Sequence, residues 1–317
     1  MFNNKNIKII TVSAVLTVSF FVFLYQFSAP KFKAEMDQVT ININTTEKDL
    51  IPKLKNQGYI RSEWAFNFLL KIKGWQDKIQ PGGYEIAKSM NAWQLAETLV
   101  SNREQVWVVI PEGLRKEEIA EKIQKVLDWP DTEKENFISI AQEGYLFPDT
   151  YLLDVDSSGE GVAKRMYSTF NEKTADLFKE AKKTDIRNDT LIILASLIQK
   201  EAANDAEMSK IAGVIWNRWL SGMPFQIDAT VQYALGKEGN WKPIVRPSDY
   251  NVDSPYNTYL HSGKPPAPIC SPGLAAINAV INSDDNDYLY YLHDSNGQIH
   301  FAKTYAEHKI NIDKYLK

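Results

Sequence analysis

The feature that most constrains this chain is an uncharged stretch close to its N-terminus. Residues 9–30 carry no charged side chain, and residues 9–27 are strongly apolar. About 20 such residues span the hydrocarbon core of a bilayer, so we predict a transmembrane helix over 9–29. Lys5 and Lys8 precede this stretch, which favours a cytoplasmic tail at 1–8. The rest of the chain is then expected on the outer face of the membrane.

A cleaved signal peptide is the alternative to a retained anchor. The candidate cleavage site, Phe27-Ser28-Ala29, has a bulky residue where a small one is preferred, and Pro30 would follow the cut. We therefore expect the anchor to stay attached. Either way the body of the protein is exported, where lipid, protein and cell-wall glycan are the nearest partners.

The composition is that of a folded globular protein, with 44% hydrophobic and 24% charged residues. The formal charge is −4, and setting aside the four lysines of the first 33 residues leaves 32 basic against 40 acidic residues, a charge of −8. Because duplex binding needs clustered Lys and Arg, this acidic body argues against a nucleic-acid partner. The single cysteine excludes an internal disulfide.

Residues 38–110 are predicted to form a small module of mixed helix and strand. Alternating apolar residues predict a first strand near 39–43, and helices follow at 46–57, 62–72 and 91–100. Further strands are expected at 84–87 and 105–110. With a juxtamembrane linker at 31–37, this organisation predicts a separate N-terminal domain.

Residues 111–317 are predicted to be mainly helical. Helical periodicity covers 116–127, 162–181, 191–203 and 205–220, and shorter helices are expected at 275–281 and 305–316. A loop-rich stretch at 222–273 holds eight of the 14 prolines. A loop of that length inside a domain usually carries function. A hairpin is expected from 288–292 and 298–301. The fold class is thus α+β.

Glu201 is the strongest candidate for chemistry. It follows Leu194, Leu197 and Ile198 by seven, four and three residues and so projects from the same apolar face of its helix. A carboxyl group on an apolar face loses hydration, which raises its pKa and suits it to donate a proton near neutral pH. The alternative is a structural role, in which Glu201 caps the next helix or pairs with a basic residue.

Two other arrangements of residues are alternatives to Glu201 as the reactive group. Ser196 and Lys200 are i and i+4 on the same helix and could form a hydrolase dyad. Mid-helix Ser is more often a packing residue, however. The four histidines show no HExxH or i,i+4 spacing, so no zinc site is predicted.

Several stretches resemble the YceG-like (MltG) family of endolytic murein transglycosylases. They are IPEGL at 110–114, EGYLFPDTY at 143–151, LASLIQKEA at 194–202, IAGVIWNRW at 211–219, QIDATVQYALG at 226–236, SPYNTYLHSGKPPAPICSPG at 254–273 and HFAKTYAEH at 300–308. The resemblance covers nearly all residues beyond about 40, in order. It implies a LysM-like module at 38–110, a catalytic domain at 111–317 and a single N-terminal anchor.

The resemblance also implies an activity. Family members cut peptidoglycan glycan strands internally, between N-acetylmuramic acid (MurNAc) and N-acetylglucosamine (GlcNAc), leave a 1,6-anhydroMurNAc end and terminate nascent strands. Their catalytic glutamate is the last acid of an EKE-like motif, which here is Glu201; Gln199 stands where many members have the first glutamate. No metal or cofactor is implied, and peptidoglycan synthases are expected neighbours.

Polar residues of the loop motifs are candidate sugar ligands, and turn or loop bonding is the equally weighted alternative. They are Gln226, Asp228, Thr230, Tyr256, Asn257, Thr258 and Tyr259. Glu143 is a further acid that could face the same cleft. Two other functions stay open: a muramidase-type hydrolase that uses Asp228 or another acid to activate water, and a non-catalytic scaffold that holds glycan near synthases.

Overall fold

The computed structural model describes residues 4–316. Residues 1–3 of the predicted cytoplasmic tail and Lys317 lie outside the described residues. The chain forms two compact units. The first runs to Val108 and includes Tyr151–Asp156, and the second comprises Val109–Thr150 and the chain from Ser157 onward.

The first unit begins with helix α1 (Asn4–Tyr25). Its window Lys8–Tyr25 has a mean hydropathy of 2.0, which makes it long and apolar enough to cross a membrane. The helix ends four residues before the predicted limit of the span. The segment that follows is held by Arg61, whose guanidinium donates to Tyr25 Oη at 2.6 Å, Ser28 Oγ at 3.0 Å and the Ala29 carbonyl at 2.7 Å.

A four-stranded sheet and three helices complete the first unit. The strands, in sheet order, are β1 (Met36–Ile41), β2 (Gly82–Ala87), β3 (Gln105–Val109) and β4 (Thr150–Asp154), and the helices are α2 (Glu47–Asn56), α3 (Glu63–Lys73) and α4 (Ala92–Ser101). Strands β1 and β2 are antiparallel, with Met36 opposite Ala87 and Ile41 opposite Gly82. The predicted strands and helices of this region are confirmed, whereas β4 was not predicted.

Helix α3 has clear local causes for its two ends. The Ser62 side chain caps the start by accepting from the Ala65 amide, and Gly74 ends the helix in the left-handed region at φ 64°. Between them Ala65, Phe66, Leu69 and Leu70 are buried in the core of the unit. This capping matches the helix predicted at 62–72.

The second unit is mainly helical and ends in a hairpin and a helix. Its helices are α5 (Lys116–Leu127), α6 (Asp131–Ile140), α7 (Gly159–Ala181), α8 (Asn188–Glu201), α9 (Asp205–Leu220), α10 (Asp228–Leu235), α11 (Leu274–Ile281) and α12 (Tyr305–Tyr315), and the hairpin pairs β5 (Tyr290–His293) with β6 (Ile299–Ala302). The mixed helix and sheet class is confirmed. Helices α6 and α10 were not predicted, because α6 buries little besides Phe137 and α10 is two turns long with no side-chain cap.

Helix α8 forms the centre of this unit. Every residue from Thr190 to Ile198 is buried. A helix that is apolar all round is covered on every side, and here α7, α9, α10 and α11 pack against it. Glu201, its last residue, therefore sits where the buried helix meets the surface of the core.

Candidate active site

The junction between α8 and α9 determines the position of Glu201. Helix α8 ends at Glu201, and Ala202 takes an extended conformation with ψ 134°. Asn204 then caps α9, while Glu207 accepts from the Ala203 amide at 3.2 Å and from Asn204 Nδ2 at 3.0 Å. Because Asn204 and Glu207 serve the start of α9, Glu201 is not required as its cap.

Glu201 has a neutral hydrogen-bond donor beside it. Tyr291 on β5 donates its hydroxyl proton to Glu201 Oε2 at 2.6 Å. Burial raises the pKa of Glu201 above its ordinary value, and the negative charge of Asp228 adds to that rise. The Tyr291 hydrogen bond and the charges of His293 and Lys200 pull the pKa of Glu201 down without cancelling the burial. The group therefore stays protonated to higher pH than an ordinary glutamate.

Glu201 lines a cavity of about 360 Å³ whose walls are formed by polar and aromatic residues. The lining residues are Glu201, Val214, Ile215, Arg218, Phe225, Gln226, Ile227, Asp228, Tyr259, Tyr290, Tyr291, Tyr305 and His308. Four of the residues singled out in the sequence, Glu201, Gln226, Asp228 and Tyr259, thus meet at one place. Tyrosine faces and amide or carboxylate groups together are suited to a sugar, which offers both apolar ring faces and hydroxyls.

Asp228 is fixed by a tyrosine pair. It is the first residue of α10, and Tyr259 donates its hydroxyl to Asp228 Oδ1 at 2.5 Å. The Tyr259 ring stacks on Tyr250 with centroids 4.1 Å apart. Burial and the hydrogen bond to Asp228 raise the pKa of Tyr259, so the hydroxyl remains a donor.

Arg218 ties three segments of the cavity wall together. Its guanidinium donates to the Pro224 carbonyl at 3.0 Å, the Leu289 carbonyl at 3.3 Å and Gln226 Oε1 at 2.5 Å. These acceptors are neutral, so a buried cation faces the cavity. Burial lowers the pKa of His308, and the charge of Arg218 adds to that effect.

The remaining predicted ligands bond within the protein. Thr230 Oγ1 donates to the Ile227 carbonyl at 2.7 Å and lies 3.0 Å from Thr258 Oγ1. Asn257 Nδ2 donates to the Tyr250 and Val252 carbonyls at 3.0 and 2.9 Å. Tyr256 packs on Tyr233 with ring centroids 4.8 Å apart. None of these four residues lines the Glu201 cavity; they shape the loops that carry Asp228 and Tyr259.

The candidate dyad does not assemble. Ser196 Oγ donates to the Ile193 carbonyl at 2.7 Å and accepts from the Ile269 amide at 3.1 Å. Lys200 Nζ instead donates to the Gly113 carbonyl at 3.4 Å. Gln199 also has a structural bond, because its Oε1 accepts from the Gly273 amide at 2.9 Å.

Glu143 lies away from the cavity, at the start of α5. It accepts from the Lys116 amide at 3.2 and 3.3 Å and from the Tyr233 hydroxyl at 3.3 Å. Burial raises the pKa of Glu143 to about 7, and the nearby charge of Glu117 contributes. Glu143 is a half-buried cap of a helix N-terminus in this structure.

Sequence reasoning missed the cavity residues that come from distant elements. No ligand role is predicted from the sequence for Arg218, Tyr290, Tyr291 or Tyr305, although Tyr305 lies in the family-like motif at 300–308. The signal that could have found Tyr291 is the alternation of the hairpin, which points every second residue to one face. Within the described residues no group of three or more His, Cys, Asp or Glu side chains is arranged to hold a metal ion.

Comparison with known proteins identifies the family. The model of the YceG-like family matches residues 39–314. The chain belongs to the YceG-like family. The resemblance inferred from the sequence motifs is therefore confirmed.

Relatives of the YceG-like chain have names that describe an activity. A Bacillus subtilis protein named endolytic murein transglycosylase is 33% identical over 327 residues, which cover 93% of this chain and 90% of the relative. A Streptococcus pneumoniae protein of the same name is 28% identical over 88% of this chain and 58% of its own length. The crystal structure of a YceG-like protein from Listeria monocytogenes matches 87% of this chain and 98% of its own, with 28% identity and a TM-score of 0.59.

Proposed function

We propose that this protein is an endolytic murein transglycosylase. It is a lyase that cleaves nascent peptidoglycan strands between MurNAc and GlcNAc, leaves 1,6-anhydroMurNAc ends and so terminates elongation. The observation that carries this proposal is Glu201: a carboxyl group of raised pKa, held by Tyr291, in a sugar-sized cavity of a YceG-like chain. The names of the relatives support the same activity.

Glu201 acts first as the acid. Because Tyr291 donates to Oε2, the acidic proton of Glu201 belongs on Oε1. That proton passes to the glycosidic oxygen as the bond from C1 of MurNAc to this oxygen breaks. The GlcNAc portion leaves with a new hydroxyl group, and positive charge develops on the MurNAc ring.

Glu201 then acts as the base. Its carboxylate takes the proton of the 6-hydroxyl of the same MurNAc, and the oxygen of that hydroxyl bonds to C1. Glu201 returns to its protonated form, and no water is consumed. An attack from within the substrate has little entropy to lose, so one carboxyl group suffices where ordinary glycosidases use two.

The cavity wall supplies candidate contacts to the sugars. We assign Gln226, Asp228 and Tyr259 to direct binding of hydroxyl and acetamido groups, since all three line the cavity. Thr230, Asn257 and Tyr256 act on the substrate through the loops that they hold. The first unit is proposed to be LysM-like and to position long glycan, with synthases as neighbours.

A hydrolase is the second candidate, because Asp228 lines the same cavity as Glu201. In that mechanism Asp228 would activate a water molecule, and the product would have a reducing end. In the transglycosylase mechanism Asp228 takes no proton. The masses of the products differ by one water and separate the two reactions.

Replacing Asp228 with Asn is expected to preserve the anhydro product. The Asn oxygen still accepts from Tyr259, so the wall of the cavity keeps its shape. The negative charge that raises the pKa of Glu201 is lost, and the alkaline limb of the pH–rate profile should therefore move to lower pH. Product masses and a pH–rate profile on purified glycan measure both effects.

The control for this variant is Asp253→Asn, an exposed acid in the same loop-rich region. It should leave the products and the pH profile unchanged. Loss of all cleavage in Asp228→Asn, with cleavage by the native protein yielding reducing ends, would establish the hydrolase instead.

We further propose that α1 is a retained single-pass anchor, with the rest of the first unit and all of the second unit on the outer face of the membrane. The candidate cleavage segment is folded: Arg61 binds Ser28 and Ala29, and the Ala92 amide donates to the Phe27 carbonyl at 2.9 Å. The full-length chain should stay in the membrane fraction after a high-salt wash, with its N-terminal residues intact by mass spectrometry. A mature protein that begins at Pro30 or Lys31 would contradict this.

A further inference from the structure

Helix α3 carries a stripe of apolar side chains on its exposed side. Its inward face buries Ala65, Phe66, Leu69 and Leu70. Its outward face carries Trp64, Phe68 and Ile72, which are 57%, 38% and 63% exposed. These three residues are spaced i, i+4 and i+8 and form one stripe. A contiguous exposed apolar patch marks an interaction surface, so we expect the outward stripe to contact a partner.

The stripe is in direct contact with the end of the apolar helix α1. The Phe23 ring lies 5.9 Å from the Trp64 ring and 6.4 Å from the Phe68 ring, measured between centroids. Trp64 and Phe68 stack on each other at 5.3 Å. Phe23 belongs to the window Lys8–Tyr25 that is apolar enough to span a membrane.

This contact sets the depth of the stripe relative to a bilayer. At about 1.5 Å per residue, the 18-residue window extends about 27 Å, close to the thickness of the hydrocarbon core. Phe23 then lies about 3 Å inside its outer boundary. The Trp64 and Phe68 rings, side by side with Phe23, fall in the interfacial layer, where Trp is enriched in membrane proteins.

Neighbouring groups extend the same surface. A groove of about 680 Å³ between the end of α1 and helices α3 and α4 is lined by apolar residues that include Leu24, Phe27, Ile72 and Trp93. Lys71 and Lys73 stand in the last turn of α3. Lys73 Nζ lies 4.1 Å from the centre of the Trp93 ring. Lysines beside interfacial aromatics suit anionic lipid headgroups.

We propose that the stripe of Trp64, Phe68 and Ile72 docks on the outer leaflet of the membrane that holds α1. The partner is the lipid surface, because the stripe is continuous with the spanning helix. Arg61 fixes the orientation, since it lies two residues before α3 and its guanidinium binds Tyr25 and Ala29 at the end of α1. The inference rests on the proposed anchoring by α1, and it adds a second, peripheral membrane contact made by the folded unit.

A nitroxide probe at Ile72 tests the docking in the full-length protein. The Ile72→Cys variant is labelled and placed in nanodiscs of phosphatidylcholine and phosphatidylglycerol; the native Cys270 is buried and should not react. The matched control is Ile310→Cys, because Ile72 and Ile310 are 63% and 64% exposed. The probe at 72 should collide severalfold more with oxygen, which partitions into lipid, and severalfold less with a water-soluble nickel complex than the probe at 310.

A second measurement avoids any new side chain at position 72. Lipids with brominated acyl chains should quench the tryptophan fluorescence of the native protein. The Trp64→Phe variant should show less of this quenching, whereas Trp241→Phe in the second unit should show as much as the native protein. Two outcomes in protein that remains with the nanodiscs would overturn the docking but not the anchor. One is equal accessibility of the probes at 72 and 310 to the nickel complex, and the other is unchanged fluorescence quenching in Trp64→Phe. Protein that leaves the nanodiscs overturns the anchor. Protection at 72 that appears only as protein concentration rises would assign the stripe to a second copy of the chain and refute lipid docking.

Discussion

Replacing Glu201 with Gln should abolish glycan cleavage and leave the fold intact. The two side chains are nearly the same size, and Gln can still accept the Tyr291 hydrogen bond at 2.6 Å. It cannot donate or accept the proton that the reaction moves. General acid–base catalysis is worth about 10²–10⁴-fold in rate, so we expect kcat to fall at least that far. The rate of anhydroMurNAc formation on uncrosslinked glycan, followed by mass spectrometry, measures the loss.

Two controls separate a loss of catalysis from a loss of folding. The thermal unfolding midpoint of Glu201→Gln should be at least that of the native protein, since burial already disfavours the charged form. The activity of the native protein should fall as pH rises through the raised pKa of Glu201, without parallel unfolding. A variant that forms anhydro products at a near-native rate would refute the assignment, and a variant that fully supports cell-wall growth in cells would favour the scaffold function.

Replacing Glu143 with Gln should remove a pH dependence from the stability of the protein. The pKa of Glu143 is about 7 in the folded state against 4.5 for an ordinary glutamate. The folded state therefore binds more protons between these values, so its stability falls as pH rises from about 4.5 to 7 and is level above that range. The difference of about 2.5 pKa units corresponds to about 3 kcal/mol. At pH 8 the free energy of unfolding of the variant should therefore exceed that of the native protein by up to about 3 kcal/mol.

Denaturant unfolding of both proteins at several pH values from 4.5 to 8 measures the effect. The difference between them isolates Glu143 from the other titrating groups, Glu201 included. Glu160→Gln serves as the control, because Glu160 is an exposed residue paired with Lys164 on the surface of α7. A native-minus-variant difference that is constant over the whole pH range would contradict the prediction.

The part of the site that was predictable from sequence is the part fixed by local periodicity. Leu194, Leu197, Ile198 and Glu201 share one face of a single helix, and helix geometry alone brings them together. The neighbours of Glu201 are different. Tyr291 is 90 residues away in the chain, and no rule of local spacing relates a hairpin to the end of a distant helix.

The secondary structure likewise contains elements that the local sequence predicts and one strand that depends on distant parts of the chain. Helices α2 to α4 have capping residues and apolar faces that can be read directly, and they appear where expected. Strand β4 has an ordinary strand pattern, with Tyr151 and Leu153 buried. It was missed because it follows a long stretch of the second unit, and only the tertiary structure assigns it to the sheet of the first.

Strand β4 limits how the two units of this protein can be separated or exchanged. The chain passes from one unit to the other at Val108, at Thr150 and again at Asp156. A single cut cannot separate the units as intact pieces, and an end-to-end gene fusion cannot transplant either of them whole. Truncation at residue 110 would leave β4 without its sheet. Exchanging the first unit between relatives therefore requires moving two segments together, the chain up to Val108 and Tyr151–Asp156, so we expect the two units to be inherited and engineered as a pair.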